Sequence, residues 1–86
     1  MSQVIVHRHA ARYLSRLPKA TKQRIKNILK ELVSAPLERS DIKRMLGEWT
    51  GYHRIRAGQI RIIFWYDEKK DVVYVDHIGP RGDVYK

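Results

Sequence analysis

Three arginines near the middle of the chain have a spacing that would let them act together. Arg54 and Arg56 flank Ile55, and Arg61 follows after a short glycine-containing turn sequence. On a β-strand, side chains two residues apart point to the same face, so Arg54 and Arg56 would lie side by side. The planar guanidinium group can grip two phosphate oxygens at once. The pattern therefore predicts a phosphate-binding surface.

A second pair of candidate residues, Arg81 and Tyr85, follows the last apolar segment. Two glycines and a proline around Arg81 release the chain from a sheet and can bring both side chains back toward the other arginines. The alternative is structural: Arg81 would pair with Asp76 or Asp83 at the surface, and Tyr85 would fray at the chain end.

The overall charge also points to an anionic partner. The 86 residues carry a formal net charge of +9. Residues 1–46 hold eleven Lys and Arg against three Asp and Glu, which gives +8, whereas residues 47–86 hold seven against six, which gives +1. Such an excess favours contact with nucleic acid, an acidic protein or an anionic membrane surface. The alternative is a solvated surface that keeps the protein soluble.

Many of these cations lie on one face of the longest predicted helix, opposite its apolar stripe. Like charges at helical spacing repel one another unless an anion is near, so an RNA- or partner-binding face and a solvated face are equally open interpretations. A membrane anchor is not indicated, because the stripe is aliphatic and lacks Trp and Phe. The cations are Lys19, Lys22, Arg24, Lys26 and Lys30, with Glu31 as the compensating acid.

The elements that would position these residues begin with a strand and a helical pair. The β-branched run over residues 4–6 predicts a first strand. Apolar residues at three- and four-residue steps predict a short helix over residues 10–17, which Pro18 closes. A longer helix is predicted from Lys19 to Pro36.

The second half of the chain is predicted to be β. Strands over 52–56, 60–66 and 72–78 would form an antiparallel meander. The middle strand is apolar on both faces, as is typical of a central strand, and Arg61 is out of keeping with its neighbours there. The sequence thus predicts one α+β domain over residues 1–86, with an N-terminal strand, a helical pair and a three-stranded meander in one small twisted sheet.

Residues 37–51, between the helices and the meander, read as a connecting loop. We expect one helical turn around Asp41 to Leu46. The residues expected to tack this loop onto the core are Leu37, Ile42, Met45 and Leu46.

Composition narrows the class of protein further. A chain that is 43% apolar and 31% charged is of normal globular composition, and its length allows one core. The N-terminus lacks the layout of a signal peptide and no apolar run approaches a bilayer span, so we expect a cytoplasmic protein. With no cysteines and four scattered histidines, neither a metal site nor a cofactor site is predicted.

Taken together, these segments resemble the RelE/ParE toxin superfamily of type II toxin–antitoxin systems. The resemblance covers essentially the whole chain, in the order of basic strand, glycine turn, arginine strand and terminal Gly-x-Arg-x-x-x-Tyr. The segments that carry it are Tyr52-His53-Arg54-Ile55-Arg56-Ala57-Gly58-Gln59-Ile60-Arg61-Ile62-Ile63-Phe64 and His77-Ile78-Gly79-Pro80-Arg81-Gly82-Asp83-Val84-Tyr85.

The resemblance implies a RelE-like fold and, for the RelE-like branch, a ribosome-dependent mRNA endonuclease that a cognate antitoxin neutralises. Arg61, Arg81 and Tyr85 match that branch's catalytic positions, and Arg54 and Arg56 match its basic strand positions. The reaction implied is metal-independent attack of a ribose 2′-hydroxyl on the adjacent phosphate. Two other functions stay open: a ParE-like inhibitor of DNA gyrase, and a non-catalytic RNA- or protein-binding module of the same fold.

Overall fold

The computed structural model describes residues 3–38, 40–47 and 50–80. Its helices are α1 (Arg8–Ser15) and α2 (Lys19–Ser34). Its strands are β1 (Gln3–Val6), β2 (Lys43–Arg44), β3 (His53–Ala57), β4 (Ile60–Asp67) and β5 (Val72–Pro80). The predicted α+β class is confirmed, as is the order of strand, helical pair and meander.

The strands form one mixed sheet in the order β1-β5-β4-β3-β2. β1 runs parallel to β5, while the other neighbours are antiparallel. β4 lies at the centre, which confirms the prediction from its apolar residues on both faces. The two-residue turn between β3 and β4 starts at Gly58, whose φ of 64° suits a residue without a Cβ.

Both helices pack on one side of the sheet, which we call the helix face. The core there joins Ala10 of α1 and Ile25 and Leu32 of α2 to Ile62 and Phe64 of β4. Each of these residues is at most 1% exposed. Removing so much apolar surface from water, at about 25 cal/mol per Å², is the main force that holds the helices on the sheet.

The opposite side of the sheet, which we call the open face, has a much smaller apolar cluster. Met45 and Ile63 are buried there, with Tyr52 packed against them. Because side chains alternate along a strand, Arg61 lies on the same face of β4 as Ile63. The open face therefore presents a strip of charged and aromatic side chains around a small apolar centre.

The helical turn expected around Asp41 to Leu46 is wrong. Residues 43 and 44 form β2, which pairs antiparallel with β3, and the Met45 N–H continues the ladder by donating to the Tyr52 carbonyl at 3.0 Å. Ile42 and Met45, three residues apart, imitate helical spacing. Residues three apart in a strand point to opposite faces of the sheet. Ile42 therefore packs against the core on the helix face, and Met45 packs in the small cluster on the open face.

Two of the four residues expected to tack the loop onto the core do not do so. Leu37 is 43% exposed and Leu46 is 85% exposed. Once β2 forms, Leu46 follows the paired residues at the edge of the sheet and has no partner surface within the described ranges. The loop is therefore held by Ile42 and Met45.

The helices begin and end close to the predicted positions. α1 is capped by His7, whose Nδ1 accepts from the His9 N–H at 3.2 Å. The Pro18 carbonyl accepts the Lys22 N–H at 2.8 Å in the first turn of α2, so Pro18 separates the helices as predicted. Neither helix in the described ranges is long and apolar enough to cross a membrane.

Candidate active site

The arginines of the central strands meet on the open face. On one side of β3, Arg56 pairs with Arg61 of β4. On the other side of β3, Arg54 pairs with Lys43 of β2. Directly opposite side chains on one face have Cβ atoms about 4.5–5.5 Å apart, so these four cations lie next to one another. We call Lys43, Arg54, Arg56 and Arg61 the cationic cluster. Lys43 was not among the candidate residues, because β2 was not predicted.

Arg61 is the unusual member of the cationic cluster. It is 4% exposed, and among the described residues it is the one charged residue that is buried. Arg54 is half-buried, while Arg56 and Lys43 are exposed. A charge held away from bulk water is less screened, so an anion beside Arg61 would interact with it more strongly than with a surface arginine.

A hollow of about 210 Å³ lies beside the cluster, lined by Asp41, Lys43, Arg54 and Arg56. Its size is below that of pockets for drug-sized ligands, and its lining is dominated by cations. Such a hollow suits a small anionic group such as a phosphate. Among the described residues that line it, Asp41 contributes the one carboxylate and limits how much positive charge accumulates there.

A bulge in β5 brings two more polar side chains, those of Asp76 and His77, to the open face. Ile63 pairs with His77 and Phe64 pairs with Val75, so Asp76 is the extra residue on β5. In such a bulge two successive residues oppose one residue of the partner strand. Consistent with this, Asp76 accepts a hydrogen bond from the Tyr52 hydroxyl at 2.7 Å, on the same face as Ile63.

The hydrogen bond from Tyr52 to Asp76 raises the pKa of Tyr52 to about 12. The bond to the carboxylate is the largest cause, followed by burial and then by the charge of Asp76, and all three disfavour the phenolate. Because the folded-state pKa lies above the reference value of 10.0, the stabilising contribution of this bond is present below pH 10 and is lost as the pH rises toward 12.

We predict that Asp76→Asn lowers the pKa of Tyr52 toward 10, since the amide removes both the negative charge and the strong acceptor. A difference titration of phenolate absorbance between the two proteins measures the change. The variant Tyr52→Phe identifies the signal, because it deletes the phenol and leaves Asp76 in place. A phenolate transition that stays near pH 12 in Asp76→Asn would contradict the assignment.

His53, on β3, lies on the helix face. Its ring stacks on Phe64 with centroids 5.6 Å apart. Burial, and then the charge of Arg44, lower the pKa of His53 and favour the neutral imidazole. His53 is therefore a packing residue on the far side of the sheet from the cationic cluster, whereas His77 shares the open face with it.

The sequence-predicted site residues divide into three groups. Arg54, Arg56 and Arg61 are brought together as expected. Arg81 and Tyr85 lie outside the described residues. The lysines of α2 belong to a helix on the other face of the sheet, so they form a separate basic surface; they are Lys19, Lys22, Lys26 and Lys30.

Sequence reasoning missed two members of the open face, Lys43 and His77. Lys43 could have been found from the alternation of Ile42, Lys43 and Arg44 as a short edge strand. The position of His77 depends on the bulge in β5, for which the sequence carries no clear signal. Within the described ranges no group of three or more potential metal ligands occurs.

Comparisons with known proteins match the whole of this architecture. Residues 4–85 match the family described as the ParE toxin of type II toxin–antitoxin systems, parDE. A search among curated protein sequences gives no significant match. Several solved structures share the fold.

The archaeal RelE–RelB complex from Pyrococcus horikoshii OT3 contains a chain that is 28% identical, with a TM-score of 0.82 over 96% of this chain and 98% of that one. The intact RelBE toxin–antitoxin complex of E. coli gives 17% identity and a TM-score of 0.76, covering 93% and 96% of the two chains. A YoeB/ParE toxin from Agrobacterium tumefaciens gives 11% and 0.79, covering 92% and 98%. At such identities the last two show a shared fold.

Proposed function

Since this chain belongs to the ParE toxin family of type II toxin–antitoxin systems, within the RelE/ParE superfamily, we propose that it is a ribosome-dependent mRNA endonuclease. The observation that carries the proposal is the buried Arg61 at the centre of the cationic cluster. A protein that only binds a partner surface gains little from a guanidinium held inside a sheet, whereas phosphate chemistry gains an anion site with little competing water.

The proposed reaction is an attack by a ribose 2′-oxygen on the adjacent phosphorus. The 2′-O–H bond breaks, a 2′-O–P bond forms, and the bond from phosphorus to the 5′-oxygen breaks. The products are a 2′,3′-cyclic phosphate and a 5′-hydroxyl. The reaction requires a base for the 2′-hydroxyl, stabilisation of charge on the phosphate, and a proton for the departing oxygen.

In this proposal the needs are assigned to side chains as follows. Arg61 and Arg81 hold the scissile phosphate and its developing charge, while Arg54 and Arg56 raise the positive potential around it. We assign Tyr85 as the base that accepts the proton of the 2′-hydroxyl, since clustered arginines would favour a phenolate. The scheme assigns these steps to side chains of the protein, so it requires no metal ion and no cofactor.

The basic surface of α2 has a different role in the proposal. It lies on the other side of the sheet from the cationic cluster and would bind phosphates of ribosomal RNA while the open face receives mRNA. This surface comprises Lys19, Lys22, Lys26 and Lys30. Such contacts are additive and salt-dependent, so they position the enzyme without determining which message is cut.

We also propose a cognate antitoxin as a partner, because the related RelE chains were solved with RelB. A groove of about 260 Å³ on the helix side of the molecule is mostly apolar, with Lys22 and Lys26 beside Leu14, Val6 and Ala11. An acidic amphipathic segment complements such a groove, and the net charge of +9 would steer its approach.

Expression of the chain in a growing bacterium, with mapping of mRNA ends, tests the nuclease proposal. We expect growth to stop and new 5′ ends to accumulate within translated reading frames. Co-expression of the proposed antitoxin, sought as a small acidic protein encoded beside the gene, should restore growth and yield a complex that co-purifies. Growth arrest with intact transcripts would contradict the nuclease proposal, and a neighbour that neither binds nor restores growth would contradict the antitoxin.

The family match favours one alternative, inhibition of DNA gyrase, because the matching family is named for ParE. The shared fold does not separate the two functions, whereas the phosphate-binding residues do, since a gyrase binder does not need them. Supercoiling by purified gyrase provides the measurement. Inhibition that survives replacement of both Arg61 and Tyr85 would favour the gyrase function over the nuclease.

A further inference from the structure

His77 lies beside Arg61 because of a close approach between neighbouring residues of β5. Arg61 pairs with Gly79 across the two central strands. A Cβ placed on Gly79 would lie 2.6 Å from Nε2 of His77. The imidazole therefore occupies the space that a side chain at position 79 would need, directly across from the stem of Arg61.

Two rows of side chains on the open face converge at this point. One row runs from Lys43 through Arg54 and Ile63 to His77, and the adjacent row runs from Arg56 through Arg61 to Gly79. The β5 bulge turns His77 toward the open face, and the missing side chain at Gly79 lets its ring lean from the first row into the second. His77 is half-buried as a residue, and its Nε2 is a buried atom that lies against the backbone of Gly79.

We infer that His77 is a further catalytic residue, the acid that donates a proton to the departing 5′-oxygen; the inference rests on the proposed nuclease function. Arginine does not release a proton near neutral pH, so the arginines of the cationic cluster can stabilise charge without supplying a proton. Imidazole is the side chain whose unperturbed pKa, about 6.5, suits proton transfer at physiological pH.

Charged side chains from three strands surround His77 on the open face. They are Arg61 from β4, Arg54 from β3 and Asp76, the preceding residue on β5. Asp76 also accepts a hydrogen bond from the Tyr52 hydroxyl.

In the reaction, the N–H bond of the imidazolium breaks as the bond from phosphorus to the 5′-oxygen breaks. The proton goes to that oxygen, and neutral imidazole and a 5′-hydroxyl remain. Tyr85 takes up the proton of the 2′-hydroxyl at the other end of the reaction. The two transfers balance, and no further reactant is needed.

A substrate with a better leaving group tests this assignment directly. In an mRNA whose scissile 5′-oxygen is replaced by sulfur, the thiolate departs without a proton. We expect His77→Gln to slow single-turnover cleavage of ordinary mRNA on ribosomes by about 100-fold or more, within the range typical of general acid catalysis. On the 5′-thio substrate His77→Gln should cleave about as fast as the wild type.

A second variant displaces the imidazole of His77 without removing it. Gly79→Ala adds the Cβ that collides with Nε2, so it should displace the ring and give the same substrate-dependent loss as His77→Gln. Each variant is compared with itself on two substrates, so a loss of folded protein lowers both rates and leaves their ratio unchanged. His9→Gln is the matched control, since His9 is exposed on α1, and its ratio should equal that of the wild type.

The outcomes separate the inference from the function on which it rests. If the wild type cleaves mRNA and His77→Gln is slowed equally on both substrates, or not at all, His77 is not the acid and the nuclease function stands. If the wild type cleaves neither substrate on ribosomes, the nuclease function fails and the role of His77 fails with it.

Discussion

Arg61→Ala is expected to reduce ribosome-dependent mRNA cleavage by about 100- to 1,000-fold, the range found when one pre-positioned donor to a developing charge is removed. Ribosome binding should change little, because the basic surface of α2 lies on the other face of the sheet. The buried position makes this arginine different from its neighbours: at 4% exposure, water cannot replace its charge beside the phosphate. Single-turnover cleavage and ribosome co-sedimentation measure the two quantities.

Arg61→Met is the matched control for the effect of the cavity. Met fills much of the volume of the arginine stem without its charge, so a fold-related loss would be smaller in Arg61→Met than in Arg61→Ala. A charge-related loss would be equal in both. If binding and cleavage fall in parallel for both variants, the protein is better described as an RNA-binding module, and each arginine should then flatten the salt dependence by about one unit per phosphate contact.

Phe64→Ala should cost about 3–5 kcal/mol of the free energy of unfolding, as is typical when a fully buried aromatic residue is truncated. Phe64 is 0% exposed at the centre of β4, within the helix-face core and in contact with the ring of His53. Domains of this size have about 5–15 kcal/mol in total, so the variant would lose a large part of its stability.

Urea unfolding followed by circular dichroism gives the change in free energy. Ile5→Ala serves as the control, because Ile5 also belongs to the sheet but is 48% exposed on the edge strand β1. Its cost should be well below that of Phe64→Ala. Equal costs for the two variants would contradict the placement of the main core on the helix face.

Much of the fold could be predicted because its signals are local. The apolar stripe of α2, the stop at Pro18 and the glycine turn between β3 and β4 each depend on residues close together in the chain. The same is true of the central position of β4, since apolar residues at both odd and even positions require both faces to be covered. The short strand β2 was missed because the three-residue spacing of Ile42 and Met45 is ambiguous. It fits one face of a helical turn, and it also fits a strand whose two apolar residues pack on opposite faces of the sheet.

The candidate site divides in the same way. Alternation alone placed Arg54 and Arg56 on one face, and the turn at Gly58 folds Arg61 back beside Arg56, so this part of the cationic cluster is determined by sequence. The separation of the α2 lysines from that cluster is not, because it depends on which face of the sheet the helix covers. Periodicity gives the apolar side of a helix, but not the side of the sheet against which it packs.

The sequence by itself determined the class of fold, the excess of positive charge and the arginines that share a strand face, because each follows from the residue types and their local spacing. The tertiary structure decided the burial of Arg61, the pairing of Lys43 with Arg54, and the approach of His77 to Gly79. These features arise between strands. Register and the bulge at Asp76 are set by the best joint packing of both sheet faces, and that packing depends on residues far apart in the chain.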